Sequence, residues 1–134
     1  MPAVLVDSNV LIDIFTQNTV WEEWSSAALR AAADTSRLVI NAIVFAEISV
    51  GFNRIEDVNS ALTFAFEREA VPFEAGFLAG QAFSSYRRRG GPKTSLLPDF
   101  IIGAHAAVKG YDILTRDVTR YRSYFPTVSL ISPD

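Results

Sequence analysis

Short apolar runs alternate along the chain with longer stretches in which apolar residues recur at helical spacing. The first run, residues 3–6, contains no polar position, which is typical of a strand buried on both faces of a parallel sheet. The pattern predicts strands over residues 3–6, 38–40, 70–72, 113–115 and 128–131. It predicts helices over residues 8–15, 20–35, 42–51, 55–69, 74–89 and 98–109.

Alternation of strands and helices over the full length indicates an α/β fold. Helical connections join parallel strands and place helices on both faces of the sheet. We therefore expect a three-layer α/β/α sandwich with a central, mostly parallel five-stranded sheet, formed by residues 1–134 as a single domain. Pro72 favours an edge position for the strand over residues 70–72, because proline cannot donate a hydrogen bond to a neighbouring strand.

The composition excludes several classes of protein and site. Hydrophobic residues make up 49% of the 134 positions, which is enough for a sizeable core. The absence of cysteine excludes disulfides, thiolate metal sites and a cysteine nucleophile, and a single histidine excludes the usual multi-histidine zinc sites. Neither a membrane-spanning run nor a signal peptide is evident, so we expect a cytoplasmic protein without membrane association.

Charge is distributed unevenly along the sequence. Residues 1–81 contain 4 basic and 11 acidic side chains, a net charge of −7, whereas residues 82–134 contain 8 basic and 4 acidic ones, a net charge of +4. This polarity suggests that different surface regions meet different partners. An uneven scatter of solvated charges is the alternative interpretation.

Four carboxylates lie close to predicted strand ends. Asp7 directly follows the first strand, and Glu47 lies in the first turns of the helix after the second. Asp99 begins the helix before the fourth strand, and Asp117 lies two residues past that strand. Because the carboxyl ends of parallel strands meet at one edge of a sheet, we expect the four side chains to converge. Clustered anions repel one another, and hard divalent cations are the usual means of neutralising them.

The aspartates also have a structural interpretation, because aspartate is a favoured residue at helix N-caps. Ser8 and Asn9 could cap the first helix without Asp7. Glu47 is the least ordinary of the four acids, since its apolar helix offers no basic residue within one turn and a charge there requires a partner.

The acids sit within segments that resemble a known family. Residues 4–13 (VLVDSNVLID) resemble the opening motif of PIN domains, and Glu47 in its apolar helix follows at the family's position. Residues 98–106 (PDFIIGAHA) and 114–117 (LTRD) resemble the later motifs in order and spacing. The resemblance covers essentially the whole chain, and the chain length resembles that of VapC-type toxins from bacterial toxin–antitoxin pairs.

The resemblance implies a function and a set of partners. It implies an endoribonuclease that hydrolyses RNA phosphodiester bonds with Mg²⁺ or Mn²⁺ and acts as the toxin of a toxin–antitoxin pair. A cognate antitoxin protein and a homodimer are the expected protein partners. An RNA-binding module without catalysis, or an RNA-processing nuclease without a toxin role, is the alternative; such non-catalytic modules usually lose acids, whereas this chain has all four.

The chemistry assigns roles to the site residues. In-line hydrolysis of a phosphodiester requires a deprotonated water and stabilisation of the leaving oxygen, and carboxylate-bound magnesium supplies both. We expect Asp7 and Asp99 to be the principal metal ligands, and the other two catalytic acids to complete the site directly or through water. Asn9 and Thr115 are expected to orient ligands or phosphate.

A basic segment near residue 90 is a candidate path for the RNA backbone. The predicted RNA-contacting residues are Arg87, Arg88, Arg89, Lys93 and Arg116. Tyr86 or Tyr121 could stack on a base. The alternative is a helix end whose cations interact with the helix dipole and with solvent.

Other polar and aromatic residues receive structural interpretations. Asp13 lies six residues after Asp7, and we expect it on the surface; we expect His105 to be structural rather than a general base. Phe45 and Phe52, and then Leu62 and Phe66, recur at helical spacing. We expect Phe45, Phe52 and Phe66 to be core residues or to line a groove for an amphipathic antitoxin helix.

Overall fold

Five strands and seven helices form the part of the chain that the computed structural model describes, residues 2–92 and 97–133. The strands are β1 (Ala3–Val6), β2 (Arg37–Ile40), β3 (Phe66–Arg68), β4 (Asp112–Leu114) and β5 (Leu130–Ile131). The helices are α1 (Ser8–Phe15), α2 (Glu22–Thr35), α3 (Ala42–Ser49), α4 (Ile55–Ala61), α5 (Phe73–Arg88), α6 (Leu97–Lys109) and α7 (Thr119–Tyr124).

The strands form one sheet with the order β3-β2-β1-β4-β5, and every neighbouring pair is parallel. The central strand β1 is buried along its whole length, as its unbroken apolar sequence predicts. Leu5 pairs with Val39 of β2 on one side and with Ile113 of β4 on the other, and all three side chains are fully buried. The predicted parallel five-stranded sheet is therefore confirmed.

Helices cover the sheet in two groups. Connections between parallel strands are right-handed, so the direction in which the chain crosses the sheet determines which face each helix covers. From β1 to β3 the chain moves toward one edge, which places α1–α4 on one face. From β3 to β5 it moves toward the other edge, which places α5–α7 on the opposite face. Contacts between α5 and α6 and between α6 and α7 agree with this division. The predicted α/β/α sandwich is confirmed. Across the described residues, every helix is too short or too polar to cross a membrane.

The region after α4 differs from the predicted helix over residues 55–69. The helix ends at Ala61, and Phe66 begins β3, which pairs with β2 at the edge of the sheet. Phe64 and Phe66 alternate along the chain, make an edge-to-face contact at 6.5 Å and both pack against the core. Their period of two, rather than the helical spacing of Leu62 and Phe66, determines the local structure. The strand predicted over residues 70–72 is absent, and that segment leads into α5.

The helix α7 was not predicted from the sequence. It begins two residues after Asp117, where Tyr121 and Phe125 occur four residues apart and are both buried. The ring of Phe125 lies against Gly103 of α6, where a Cβ atom would overlap the ring. This close approach fixes α7 beside the helix that begins near Asp99.

Candidate active site

A polar cavity of about 130 Å³ opens at the carboxyl ends of β1 and β4. The chain leaves β1 and β4 toward opposite sides of the sheet, so their carboxyl ends flank the topological switch point, where ligands of open α/β sheets bind. The residues that line the cavity are Asp7, Ser8, Asn9, Asp99, Asp117, Arg120 and Tyr121.

Asp7 is the most buried acid of the cavity and is held by hydroxyl groups. Its Oδ2 accepts hydrogen bonds from the hydroxyls of Thr115 at 2.9 Å and Tyr121 at 2.8 Å. Its Oδ1 accepts the backbone N–H of Ser8, so Asp7 itself is the N-cap of α1, rather than the two residues predicted for that role. Burial raises the pKa of Asp7 above its ordinary value, although these hydrogen bonds act in the opposite direction.

Asp99 lies in the first turn of α6, and its carboxylate is affected by its acidic neighbours. Burial, followed by the negative charges of Asp7 and Glu47, raises the pKa of Asp99 to about 6. Asp117 adds a further negative charge from the loop after β4, while Arg120 opposes the shift. The cavity thus brings Asp7, Asp99 and Asp117 together, and Glu47 lies near enough for its charge to act on Asp99.

Glu47 reaches the same region from α3 through a serine. The hydroxyl of Ser8 donates a hydrogen bond of 2.8 Å to Oε1 of Glu47, while the backbone N–H of Ser8 donates to Asp7. Burial and the charge of Asp7 raise the pKa of Glu47. Glu47 itself lines a neighbouring groove rather than the cavity. Ser8 therefore bridges two of the candidate ligands, a role that the sequence did not indicate.

Asn9 and Thr115 connect α1 to the loop after β4. The amide of Asn9 donates to Oγ1 of Thr115 at 3.2 Å, and its carbonyl oxygen accepts the backbone N–H of Arg116 at 3.3 Å. Thr115 is fully buried and donates its own proton to Asp7. These contacts fix Asp7 relative to the loop that carries Asp117.

The predicted basic path is only partly available. Arg87, Arg88 and Arg89 are exposed at the end of α5, and the guanidinium of Arg89 lies over the ring of Tyr124 in α7. The basic end of α5 is therefore adjacent to the helix that lines the cavity. Lys93 lies outside the described residues.

The guanidinium of Arg116 is occupied by contacts within the protein. Its Nε lies 2.7 Å from Oδ2 of Asp13, and its guanidinium is close to the ring of Trp21. The prediction that Asp13 is a surface residue is wrong: the side chain is 1% exposed and also accepts a hydrogen bond from Ser25. A charge buried to this extent requires a partner, which Arg116 supplies.

The tyrosines that were considered for base stacking are not free. Tyr121 is 2% exposed, and Tyr86 packs against Phe100 and Tyr124. The expected structural role of His105 agrees with its environment, since it is fully buried and both ring nitrogens lie within hydrogen-bond distance of Asn41 or Glu69.

The donor set suits a hard divalent cation. Three of the candidate ligands, Asp7, Asp99 and Asp117, line the polar cavity with carboxylate groups. Burial raises the pKa of Asp7 and of Asp99, so an added positive charge would stabilise the ionised forms of these two acids. In the described part of the chain, the carboxylates do not form a ready-made cage of three or more ligands. Mg²⁺ does not require one, because it keeps several waters and binds few protein ligands directly.

Arg120 and Tyr121 also line the cavity, although from the sequence Tyr121 is expected only to stack on a base. The spacing of Tyr121 and Phe125, one helical turn apart directly after Asp117, is the signal that could have predicted α7 and brought position 121 to the site. Burial and the charge of Asp7 raise the pKa of Tyr121 well above its ordinary value, so the phenol stays a hydrogen-bond donor.

Comparison with solved structures gives full-length neighbours. VapBC2 from Rickettsia felis matches with a TM-score of 0.75 and 17% identity, covering 98% of this chain and 99% of the other. A toxin–antitoxin complex from Klebsiella pneumoniae matches with a TM-score of 0.71 and 23% identity, covering 98% of each chain. VapBC from Salmonella typhimurium matches with a TM-score of 0.72 and 20% identity, also over 98% of each chain.

Comparison with curated proteins gives no match. The PIN domain profile, in contrast, matches residues 4–124, a span that includes the four acids, the residues that orient them and α7. The chain is thus a member of the PIN domain family.

Proposed function

We propose that this protein is a metal-dependent endoribonuclease that acts as the toxin of a toxin–antitoxin pair. The observation that carries the proposal is the convergence of Asp7, Asp99 and Asp117 on one cavity, with Glu47 linked to it through Ser8. Such a set of carboxylates is suited to metal-assisted hydrolysis of a phosphodiester. Membership of the PIN domain family supports the same reaction class.

The four acids are the proposed ligands of Mg²⁺ or Mn²⁺, with Asp7 and Asp99 as the principal ones. A bound divalent ion supplies positive charge for the phosphate and activates a water molecule at neutral pH. The chain's own contribution is to hold the ligands in place before the ion arrives. Thr115 and Tyr121 fix one oxygen of Asp7, and hydrogen bonds of this kind typically determine the orientation of a ligand.

The RNA backbone is proposed to approach along the end of α5. Arg87, Arg88 and Arg89 are exposed there, and contact with α7 brings this segment beside the cavity. Phosphate contacts of this type position a nucleic acid without reading its sequence. Arg116 is not part of this path, because its guanidinium is engaged by Asp13.

An antitoxin segment is proposed to dock in the groove between α1 and α3. This groove has a volume of about 570 Å³, has a largely apolar surface and is lined by Ile12, Val50 and Phe52, with Glu47 at one side. The solved neighbours are toxin–antitoxin complexes, which supports a protein partner of this kind. A basic side chain of the docked segment would pair with Glu47 and compete with metal.

Only one of the three phenylalanines that were candidates for an antitoxin groove lines the groove between α1 and α3. Phe52 lines it, whereas Phe45 lines a cavity beside β3 and Phe66 lines another beneath α4. Phe45 and Phe66 are therefore not part of the proposed docking surface.

A homodimer is the second proposed assembly. Phe73 and Phe77 lie one turn apart on α5 and are 95% and 72% exposed, which is unusual for two adjacent aromatic side chains. A second copy of the chain would cover this face. A Phe77→Ser variant that remains dimeric in light scattering would place the dimer contact elsewhere.

The test of the proposed activity is cleavage of a single-stranded RNA by purified protein. Wild type should cleave with Mg²⁺ or Mn²⁺ and lose activity in EDTA, and Asp99→Asn should be inactive while keeping its fold. Glu74→Gln, which alters an exposed carboxylate on α5, is the control and should retain activity. Cleavage by Asp99→Asn at the wild-type rate would contradict the proposed site. RNA binding without cleavage by wild type would favour the non-catalytic alternative.

A further inference from the structure

Arg120 is a positively charged side chain at the wall of an acidic cavity. It lies on α7 and lines the cavity together with Asp7, Asp99 and Asp117. Its side chain is 29% exposed, so the guanidinium is accessible from the cavity but largely surrounded by protein.

The contact between Arg120 and Asp99 is loose compared with the other arginine–carboxylate pairs among the described residues. Nη1 of Arg120 lies 4.0 Å from Oδ2 of Asp99, whereas the pairs Arg116–Asp13 and Arg37–Glu67 both have nitrogen–oxygen distances of 2.7 Å. A distance of 4.0 Å is too long for a hydrogen bond. The guanidinium is therefore close enough to interact electrostatically with Asp99 but is not hydrogen-bonded to it.

A second donor of the same guanidinium is also unused. Nε of Arg120 is buried and has no hydrogen-bond partner among residues 2–92 and 97–133. A buried donor in this condition carries a desolvation cost and does not tie the guanidinium to another side chain. The loose contact with Asp99 and the unpaired Nε therefore leave the guanidinium without a strong protein partner, so its outer nitrogens can bind an anion that enters the cavity.

Two contacts fix α7 relative to the acids. The hydroxyl of Tyr121 donates to Asp7 at 2.8 Å, and the backbone N–H of Thr119 donates to Oδ1 of Asp117 at 3.2 Å. Arg120 lies between these two residues in the sequence. Its backbone is therefore held close to two of the candidate metal ligands, Asp7 and Asp117.

We propose that Arg120 is a catalytic residue that contacts a non-bridging oxygen of the phosphodiester to be cleaved. The inference rests on the proposed nuclease function and extends it to this side chain. The planar guanidinium suits phosphate oxygens, and its fixed charge offsets the negative charge that develops during hydrolysis. The competing interpretation is that Arg120 only neutralises the acids before the metal binds.

The experiment compares Arg120→Ala and Arg120→Lys with wild type in steady-state cleavage of single-stranded RNA at saturating Mg²⁺. Loss of a charge-stabilising donor of this kind lowers kcat by about 100-fold, and we expect that loss for Arg120→Ala. Lysine keeps the charge but not the planar geometry, so Arg120→Lys should recover only part of the rate. Arg122→Ala removes an exposed arginine from the same helix and should leave kcat unchanged.

Chemical rescue distinguishes a catalytic role from a structural one, because added guanidinium can restore kcat only if the missing group acts on the substrate. Guanidinium chloride, added at concentrations that do not change the melting temperature, should raise kcat of Arg120→Ala but not of Asp99→Asn. Unchanged kcat for Arg120→Ala at saturating Mg²⁺, with tighter Mg²⁺ binding, would show that Arg120 only neutralises the acids. If the alanine variant does not fold, Arg120→Gln keeps most of the side-chain volume and is used for the same test.

Failure of the inference and failure of the proposed function give different results. An active wild type with a fully active Arg120→Ala variant contradicts the role of Arg120 alone. A wild type that does not cleave RNA, or cleavage that persists in Asp99→Asn, contradicts the nuclease assignment on which the inference rests.

Discussion

Asp13 and Arg116 form a partly buried ion pair that joins α1 to the loop carrying Asp117. The guanidinium Nε lies 2.7 Å from Oδ2 of the carboxylate, and the backbone N–H of Arg116 also donates to Asn9. Asn9 in turn contacts Thr115, which holds Asp7. The pair thus supports the candidate site from a position that neither metal nor RNA contacts in the proposed mechanism.

Removal of Arg116 should destabilise the protein strongly. Arg116→Met leaves the Asp13 charge buried without its partner, and breaking a buried pair in this way costs about 3 kcal/mol in the free energy of unfolding. We take the lower end of the usual range because the Arg116 side chain is 29% exposed. Urea unfolding of the variant measures the change.

A double-mutant cycle separates the ion pair from other effects. The variant with both Asp13→Asn and Arg116→Met should be less destabilised than the sum of the two single variants. Arg37→Met, which breaks the exposed pair with Glu67, is the control and should have little effect. Additive losses at Asp13 and Arg116 would show that the two charges do not stabilise each other.

The central sheet could be predicted from the sequence because its strands have the clearest pattern. The unbroken apolar run at β1 and the strand–helix alternation fix both the sheet and its carboxyl edge, which places Asp7 and Asp117 without further information. The strand β3 could not be predicted in this way. It is three residues long, and its position follows from pairing with β2 at the sheet edge, which is a tertiary contact.

The side chains that support the site were harder to predict than the acids. The four acids are recognisable because each lies near a strand end or in an apolar helix. Ser8 and Tyr121 act through contacts with residues 39 and 114 positions away, and sequence spacing contains no information on such pairs. The prediction that Asp13 lies on the surface was wrong for the same reason, since its partner Arg116 is 103 residues away in the sequence.

The ionised acid cluster should lower the stability of the metal-free protein at neutral pH. The pKa of Asp99 is about 6 in the folded protein and 3.8 in its ordinary environment, so folding favours the protonated form. Its stabilising contribution is complete below the unfolded pKa and is lost as the pH rises through about 6. Asp99→Asn should therefore raise the melting temperature in EDTA at pH 7.5 and change it little at pH 4.

Comparison of wild type with Asp99→Asn separates the effect of Asp99 on the melting temperature from the effects of other titrating groups. Melting temperatures of wild type and Asp99→Asn are measured in EDTA across this pH range, and the difference between them should grow with pH. Asp34→Asn makes the same chemical change at an exposed position on α2 and should follow wild type. A difference that shrinks as pH rises would contradict the repulsion inferred for the cavity.

The three arginines at the end of α5 should determine the salt dependence of RNA binding. Replacement of Arg87, Arg88 and Arg89 by alanine removes three potential phosphate contacts. For a single strand, this lowers the slope of log K against log salt by about 2. Binding is measured by fluorescence anisotropy in EDTA, so that the RNA stays intact.

The matched control removes arginines from the opposite half of the sequence. Arg30 and Arg54 are exposed on or beside α2 and α4, and their replacement by alanine should leave the salt slope unchanged. If the α5 variant keeps the wild-type slope, its arginines are solvated cations at a helix end.

Antitoxin binding should depend on the groove between α1 and α3. Phe52 packs against Phe15 and lines that groove, whereas Phe66 lines a separate cavity. Truncation of an aromatic anchor at an interface costs about 2 kcal/mol, a loss in affinity of roughly thirtyfold. We expect this loss for Phe52→Ala and little change for Phe66→Ala, measured by calorimetry with the cognate antitoxin.

A substitution at an exposed groove residue tests the same surface without disturbing the core. Val50 is 86% exposed and lines the groove, so Val50→Arg should fold normally but obstruct the docked segment. Val20 is 74% exposed and does not line the groove, which makes Val20→Arg the matched control. Because the groove borders Glu47, an antitoxin segment that is displaced from the groove can no longer reach the acids. The Val50→Arg variant should therefore keep its nuclease activity in the presence of antitoxin. Full inhibition and wild-type affinity for Val50→Arg would assign the antitoxin to another face of the protein.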